Sequence, residues 1–320
     1  MDEHHRRFSL RPLMPFRLDT TVWALRRRSV NAVDLWSGEM YRRVLNVDGT
    51  PVLVAVTQRA TVLDVTLTGK DLSPAIRQTV TPILERLLGI NVDLSEFHAI
   101  AARYPRLNQL AAPFIGFKPP RFATVFEGLV NGITCQQLSL SAGIVFLNRL
   151  AECYGREFSP GLNAFPRPQD LAQLHPSNLR PLGYSSNKAR SIIGIARASV
   201  EGDLDLEGLE QLDDQQCFER LVAMYGVGRW TAEYVLLRGL GRTNVFPGDD
   251  VGARNNLERW LRLRKKLDYD RVEHVLRKWK NYGGLIFFLL LLKNLDEAGS
   301  LDGSAARTAG NRRDNSGDIT

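Results

Sequence analysis

Leu221-Val222-Ala223-Met224-Tyr225-Gly226-Val227-Gly228-Arg229-Trp230-Thr231-Ala232-Glu233-Tyr234-Val235-Leu236-Leu237 is the stretch that decides the fold. Ahead of it, Asp213-Asp214-Gln215-Gln216 offers an N-cap aspartate with a glutamine three residues on, a capping-box arrangement, and Phe218, Leu221 and Val222 supply the buried side of the helix it opens. That helix ends at Tyr225-Gly226-Val227-Gly228, and a second begins at once with Thr231. Two helices joined by Gly-x-Gly leave the first amides of the second helix unsatisfied, beside a backbone that another molecule can approach closely. Such a turn suits an anion, and on a basic protein a DNA phosphate. The same residues also suit an ordinary helical hairpin whose glycines only make the corner.

Outward from the hairpin, the spacing predicts helix after helix. Phe122, Val125, Phe126, Leu129, Val130 and Ile133 form one apolar stripe, and Leu140, Ile144, Leu147 and Leu150 another. No strand alternation is expected after the Lys118-Pro119-Pro120 break, so 110–293 reads as a helical domain. Upstream, Val52, Val54, Val56 and Leu63, Val65, Leu67 alternate as in strands around the Asp48-Gly49 turn, and Pro74 to Leu88 has helical spacing closed by Gly89. Residues 8–109 are thus expected to form an α+β domain with an antiparallel sheet. Residues 1–7 are expected to be a flexible N-terminus, and 294–320, with four Gly, three Ser and no aromatic residue, a disordered tail.

Across 320 residues, 42 Lys+Arg stand against 35 Asp+Glu, a net charge of +7, and 44% of residues are hydrophobic, which excludes a wholly disordered chain. The longest apolar run, Leu285 to Leu292, is far short of the roughly 20 residues of a membrane span. No membrane association is expected. The charged N-terminus leads into no export signal, so a cytoplasmic, nucleoid-associated monomer is expected. Cys135, Cys153 and Cys217 lie far apart without a CxxC pair, which excludes a disulfide framework and a zinc ribbon. His98, His175 and His274 are isolated and read as structural or surface residues.

The run from Leu221 to Tyr234, followed by Val245-Phe246-Pro247-Gly248-Asp249-Asp250-Val251-Gly252, resembles the helix-hairpin-helix, Gly/Pro-rich loop and Asp signature of the helix-hairpin-helix DNA glycosylases. Within them it is most similar to the 3-methyladenine DNA glycosylase II type. Pro15-Phe16 with Leu25 and Arg28, Ile133 with Gln136-Gln137 and Ser139, Leu182-Gly183 with Lys188-Ala189, and Trp279 with Tyr282 extend the resemblance over about residues 10–293. It implies a fold of an α+β N-terminal domain followed by a mostly α helix-hairpin-helix glycosylase domain, acting on double-stranded DNA with damaged bases.

Asp250 matches the family's catalytic aspartate, and a carboxylate suits the work, because base excision leaves positive charge on the sugar. Asp249 reads as a capping or loop-fixing neighbour, and both could be plain N-caps. Trp230 stands where bifunctional relatives carry a lysine that attacks the sugar, so the resemblance implies a monofunctional enzyme. Trp230 and Tyr234, one turn apart, read as walls of a base pocket attracting a cationic alkylated purine by about 0.5–2 kcal/mol, or alternatively as core. Gln137 matches the family's intercalating position, where an apolar wedge is usual; Gln136 and Gln137 could instead cap their helix. Gly226, Val227, Gly228, Arg229 and Thr231 are the expected DNA-binding residues of the hairpin. No cofactor is required; the resemblance allows a structural monovalent cation at backbone carbonyls near Met224 and Val227.

Three positions depart from the family pattern: Gly283 in the run after Trp279, Leu291 where an aromatic is common, and Ala24, beside Trp23, where another pocket aromatic is expected. Between Arg254 and Lys280 ten Lys/Arg face four acids, a local surplus placed to hold phosphates. These readings converge on hydrolysis of the N-glycosidic bond of alkylated or deaminated purines. The alternatives are a glycosylase for oxidised bases and a non-catalytic helix-hairpin-helix DNA-binding protein.

Overall fold

The computed structural model of the chain describes residues 4–70 and 72–301, apart from the side chain of Lys280. Strands β1 (His4–Leu10), β2 (Leu35–Trp36), β3 (Met40–Val47), β4 (Thr50–Arg59) and β5 (Val62–Gly69) form one antiparallel sheet in the order β1-β5-β4-β3-β2. Asp48 and Gly49, both at positive φ, close the two-residue hairpin between β3 and β4, whose right-handed twist such a turn matches. The period-two pattern read from the sequence is the buried face: Val52, Val54, Val56, Leu63, Val65 and Leu67 are all almost fully buried. Helices α1 (Leu18–Arg26) and α2 (Ile76–Leu88) cover that face with Val22, Leu25, Val80, Leu84 and Leu87.

Two expectations about this region are corrected. His4 to Arg7 are not a flexible end, for they pair with Gly69 to Thr66 as the edge of the sheet. Their side chains are exposed, so the residues carry no apolar alternation to betray the strand. Helix α1 lies in the region whose sequence, from about Phe8 to Gly69, reads as strand-like; all its residues but Asp19 are buried, which erases the one-sided periodicity that marks a surface helix.

The remaining helices are α3 (Ser95–Arg103), α4 (Pro105–Ala111), α5 (Val125–Cys135), α6 (Leu140–Tyr154), α7 (Pro168–Leu171), α8 (Ser186–Glu201), α9 (Asp214–Val222), α10 (Arg229–Arg238), α11 (Val251–Leu261), α12 (Tyr269–Leu276) and α13 (Gly283–Glu297). They build two further cores. Helices α5, α6, α8, α9 and α10 share one, around Leu129, Leu150, Ile192 and Leu221. Helices α3, α4, α11, α12 and α13 share the other, around Phe97, Leu107, Leu257 and Phe288, together with Trp23 and Ala24 of α1. A boundary at 109/110 therefore falls within α4, and α3 and α4 pack with the C-terminal helices rather than on the sheet.

A short hairpin of β6 (Glu157–Ser159) and β7 (Leu162–Asn163) interrupts the helical part, where no strand was expected; two or three residues are too few to show a period. The apolar run Leu285 to Leu292 is buried within α13, and no described helix is long and apolar enough to cross a membrane. Helix α13 continues to Glu297 with Leu295 buried, so a tail beginning at 294 starts too early. The expected disorder of 302–320 lies outside the described residues.

Candidate active site

The hairpin between α9 and α10 is set by small residues and by side chains reaching in from other helices. Asp213 accepts from the Gln216 amide at 2.8 Å and Gln216 accepts in return from Asp213 at 3.4 Å, the capping box expected of the α9 start. Gly226 has φ +80°, and a Cβ there would lie 2.6 Å from Ser191 Oγ. Ser191 itself donates to the Tyr225 carbonyl at 2.6 Å, so turn and α8 are locked together. Gly228 is different: it caps α10 at an ordinary φ of −94°, with nothing within 4 Å of a Cβ built on it. Its open surroundings leave the first amides of α10 accessible. Behind the hairpin, α5 crosses α10 closely at Gly132, where a Cβ would come 2.9 Å from Thr231 Cγ2.

The segment after α5 completes the frame. Gln136 Nε2 donates to the Gly226 carbonyl at 2.9 Å and to Thr231 Oγ1 at 2.9 Å. Lys188 Nζ donates to the carbonyls of Thr134 at 2.8 Å and Gln136 at 2.7 Å, closing the C-terminal end of α5 with a cation where the helix dipole favours one. Burial lowers the Lys188 pKa below that of a free ammonium. The alternative of Gln136 and Gln137 as caps of the helix that follows them is corrected: Ser139 caps α6, accepting from the Ala142 amide at 3.2 Å, and Gln136 stands at the C-cap of α5. Gln137 is exposed with a left-handed φ of +53°, strain that a non-glycine residue carries at a cost of about 1–2 kcal/mol.

Asp250 caps α11 with one oxygen and faces the hairpin with the other. Its Oδ1 accepts from the Ala253 amide at 2.7 Å, and its Oδ2 accepts from Trp230 Nε1 at 3.0 Å. The N-cap reading of Asp250 is thus observed, and it leaves the second oxygen toward the hairpin. Asp249 is not a cap; it lies 3.9 Å from the Arg229 guanidinium, which rests 4.4 Å above the Tyr269 ring.

Glu233 was not foreseen as a site residue. Buried on α10 one turn after Trp230, it accepts from the Gly248 amide at 3.0 Å and from the Tyr269 hydroxyl at 2.6 Å. It thus clamps the loop that carries Asp250. Burial raises its pKa above the usual carboxylate value. A charged residue between Ala232 and Tyr234 on a buried helix face was the signal available in the sequence, since such a side chain needs partners.

Cys135, Gln136, Gln137, Leu138, Gly228, Arg229, Trp230, Thr231, Asp249, Asp250, Val251 and Gly252 surround a cavity of about 510 Å³, within the range of small-ligand sites. Trp230 lines it; Tyr234 does not. Tyr234 is buried behind Trp230, stacked at 5.4 Å between ring centroids, with its hydroxyl accepting from Arg27 at 2.7 Å. Its expected place in the pocket wall is therefore corrected to a backing layer. Arg238 lies 5.8 Å from the same ring, and burial lowers its pKa to about 10. Val227 is buried in the core under the hairpin.

Ala24, Trp23 and Leu291 do not reach the cavity but belong to the core of α13. Gly283 and Gly284 explain the departure after Trp279: Cβ atoms there would meet the Asn244 carbonyl at 2.9 Å and the Thr243 and Val245 carbonyls at 2.8 Å, so α13 abuts the loop leading to Asp250. Of the ten basic residues between 254 and 280, Arg259 and Arg262 turn to a separate cavity at the far end of α11.

Residues 130–281 match the HhH-GPD superfamily of base excision DNA repair proteins, and residues 7–123 match the AlkA N-terminal domain. DNA-3-methyladenine glycosylase of Bacillus subtilis is 27% identical over 217 residues, 67% of this chain and 72% of that one. DNA-3-methyladenine glycosylase 2 of Escherichia coli is 34% identical over 146 residues, 45% of this chain and 51% of that one. The chain thus spans about half the length of several curated relatives it matches, 51% and 55% in two of them. The solved 3-methyladenine DNA-glycosylase from Archaeoglobus fulgidus superposes with a TM-score of 0.79 at 24% identity, covering 90% of this chain and 99% of that one, a likeness of fold.

Proposed function

The chain belongs to the HhH-GPD superfamily of base excision DNA repair proteins, and from that premise we propose that it is a monofunctional DNA glycosylase of the 3-methyladenine glycosylase II type. Its substrate is an alkylated or deaminated purine turned out of duplex DNA into the cavity beside Asp250. The observation that carries this reading is the Asp250 carboxylate held between the Ala253 amide of α11 and the Trp230 indole, facing a cavity large enough for a base.

The bond between the sugar C1′ and the base nitrogen breaks with its electron pair leaving on the base. Positive charge then builds on the sugar, where a fixed carboxylate stabilises it electrostatically, and water adds to C1′ as its proton passes to solvent. Trp230 has no amine to attack C1′, so no Schiff base forms and the strand stays uncut. An alkylated purine leaves readily because it already carries the charge that a general acid would supply. Tyr234 occupies one face of Trp230, so at most one indole face is left for a cationic base. Arg27 and Arg238 behind Tyr234 subtract from that attraction, which favours neutral, deaminated purines alongside cationic ones.

The open amides at Gly228 and the Arg229 guanidinium hold a DNA phosphate. Gln137 and Leu138, both exposed at the cavity rim, enter the gap that the displaced base leaves. Among the hairpin carbonyls, those of Tyr225 and Gly226 accept side-chain donors and that of Met224 accepts the Val227 amide at 3.1 Å; each carbonyl oxygen keeps a second lone pair, and Met224 and Val227 are the ligands for a monovalent cation bridging to phosphate on this reading. The protein acts as a monomer on this reading.

Purified protein incubated with duplexes bearing single 7-methylguanine, hypoxanthine or 8-oxoguanine residues should release the first two and leave alkali-labile sites without borohydride-trapped adducts. Release undiminished in Asp250→Asn overturns the catalytic assignment. A trapped adduct overturns the monofunctional one, and binding without release from any lesion favours a non-catalytic DNA-binding protein.

A further inference from the structure

A second cavity, of about 440 Å³, opens where α4, α11 and α13 meet, and it is lined by Arg106, Gln109, Arg259, Trp260, Arg262 and Lys293 along with a buried leucine. Four cations drawn from three separate helical segments line it, and among the described residues the one carboxylate paired with any of them is Glu297, on Lys293. The nearest acid in sequence, Glu258, turns away to accept from the Leu267 amide at 2.7 Å. Lys293 is paired with Glu297 at 2.6 Å, while Arg106 donates to the Leu261 carbonyl at 2.9 Å and so is held at the rim. Arg262 ends α11 in the left-handed conformation, φ +56°, which fixes where its side chain departs. Trp260 gives the cavity an apolar floor, itself packed 5.4 Å from Trp279.

Like charges converging on one space repel, and a surface cluster free to move would splay apart. These are tethered by α4, α11 and α13, and polar amide capacity from Gln109 stands beside them. Guanidinium forks match phosphate oxygens in pairs. We propose that this cavity is a second phosphate-binding site, taking a multiply charged phosphate chain. It is separate from the hairpin: the eleven residues of α11 set it about 16 Å from Asp250, the rise of such a helix at about 1.5 Å per residue. That span equals about five base pairs of duplex at about 3.4 Å each, so the chain could be supplied by flanking DNA or by a free oligophosphate. The site does not rest on the glycosylase reading.

Inorganic tripolyphosphate titrated calorimetrically into the full chain tests it. The double variant Arg106→Gln/Lys293→Gln should bind about tenfold more weakly per lost cation, since a hydrogen bond to a charged group is at stake, while Arg106→Lys/Lys293→Arg should stay within about twofold of wild type. Equal affinity in wild type and the glutamine variant overturns the site, as does a charge-keeping variant that binds no better than the neutral one. Duplexes of about ten and about twenty base pairs then separate the sources. Loss of affinity by the glutamine variant for the longer duplex alone identifies flanking DNA; unchanged affinity for both, with tripolyphosphate binding lost, identifies a free oligophosphate. Circular dichroism and base release from the short duplex should match wild type, so that misfolding cannot stand in for a lost site.

Discussion

Replacing Trp230 by Phe removes one bond and keeps most of the packing. The phenyl ring retains the stack on Tyr234, now 5.4 Å between centroids, but has no N–H to give Asp250 Oδ2, at present 3.0 Å away. Hydrogen bonds to charged groups contribute about 1.5–3 kcal/mol, and Asp250 keeps a second anchor at the Ala253 amide, so the lower figure applies. At about 1.4 kcal/mol per decade, single-turnover base release should fall roughly tenfold. Affinity for duplex should change by less than about threefold, because the hairpin amides are untouched. The same bond is measurable without catalysis. Denaturant unfolding of wild type, Trp230→Phe, Asp250→Asn and the double variant should show a coupling energy of about 0.5 kcal/mol or more. An undiminished rate in Trp230→Phe, or additive stabilities within about 0.3 kcal/mol, would refute the claim that the indole orients this carboxylate.

The two hairpin glycines should behave oppositely. Gly226→Ala forces a side chain into φ +80° and against Ser191, and should lower stability by about 1–2 kcal/mol in thermal melts; Gly228→Ala meets nothing and should leave the melt unchanged while weakening DNA binding. Leu138→Ala should reduce the 2-aminopurine fluorescence gain that reports base extrusion, with a smaller loss for Gln137→Ala, since an apolar side chain fills an unstacked gap better than an amide; equal signals in all three proteins would remove both from that role. Glu233 has its pKa raised in the folded state, so the native protein holds a proton that the unfolded chain has already released, and stability falls as pH rises from the ordinary value of 4.5 through the folded one. Unfolding free energies of Glu233→Gln should lack that decline, and a pH dependence identical to wild type would contradict it.

Much of this architecture is local and could be read from the sequence. The sheet strands announce themselves by alternation, α9 by its capping box, and Asp250 as an N-cap by its place at a helix start, because each depends on residues a few positions apart; its candidacy for the site comes from the resemblance of the surrounding motif. What could not be read depends on residues far apart in the chain. Gln136 reaches across about ninety positions to the hairpin, Lys188 closes a helix that ends fifty residues earlier, and Arg27 meets Tyr234 from the opposite end of the fold. Tyr234 shares a helix face with Trp230, yet only packing decides that one lines the cavity and the other stands behind it. The first half of edge strand β1, His4 to Arg7, escaped notice because its partner supplies backbone bonds while its side chains stay in solvent.

Asp250 divides its two oxygens between a helix and an indole, and this ties the proposed chemistry to the seat of an entire helix. Any change that lets α11 slide or rotate, even at fully buried Leu257 two turns away, drags the Oδ1 anchor and with it the oxygen facing the cavity. On the proposed reading, core substitutions beneath α11 change turnover without touching a base.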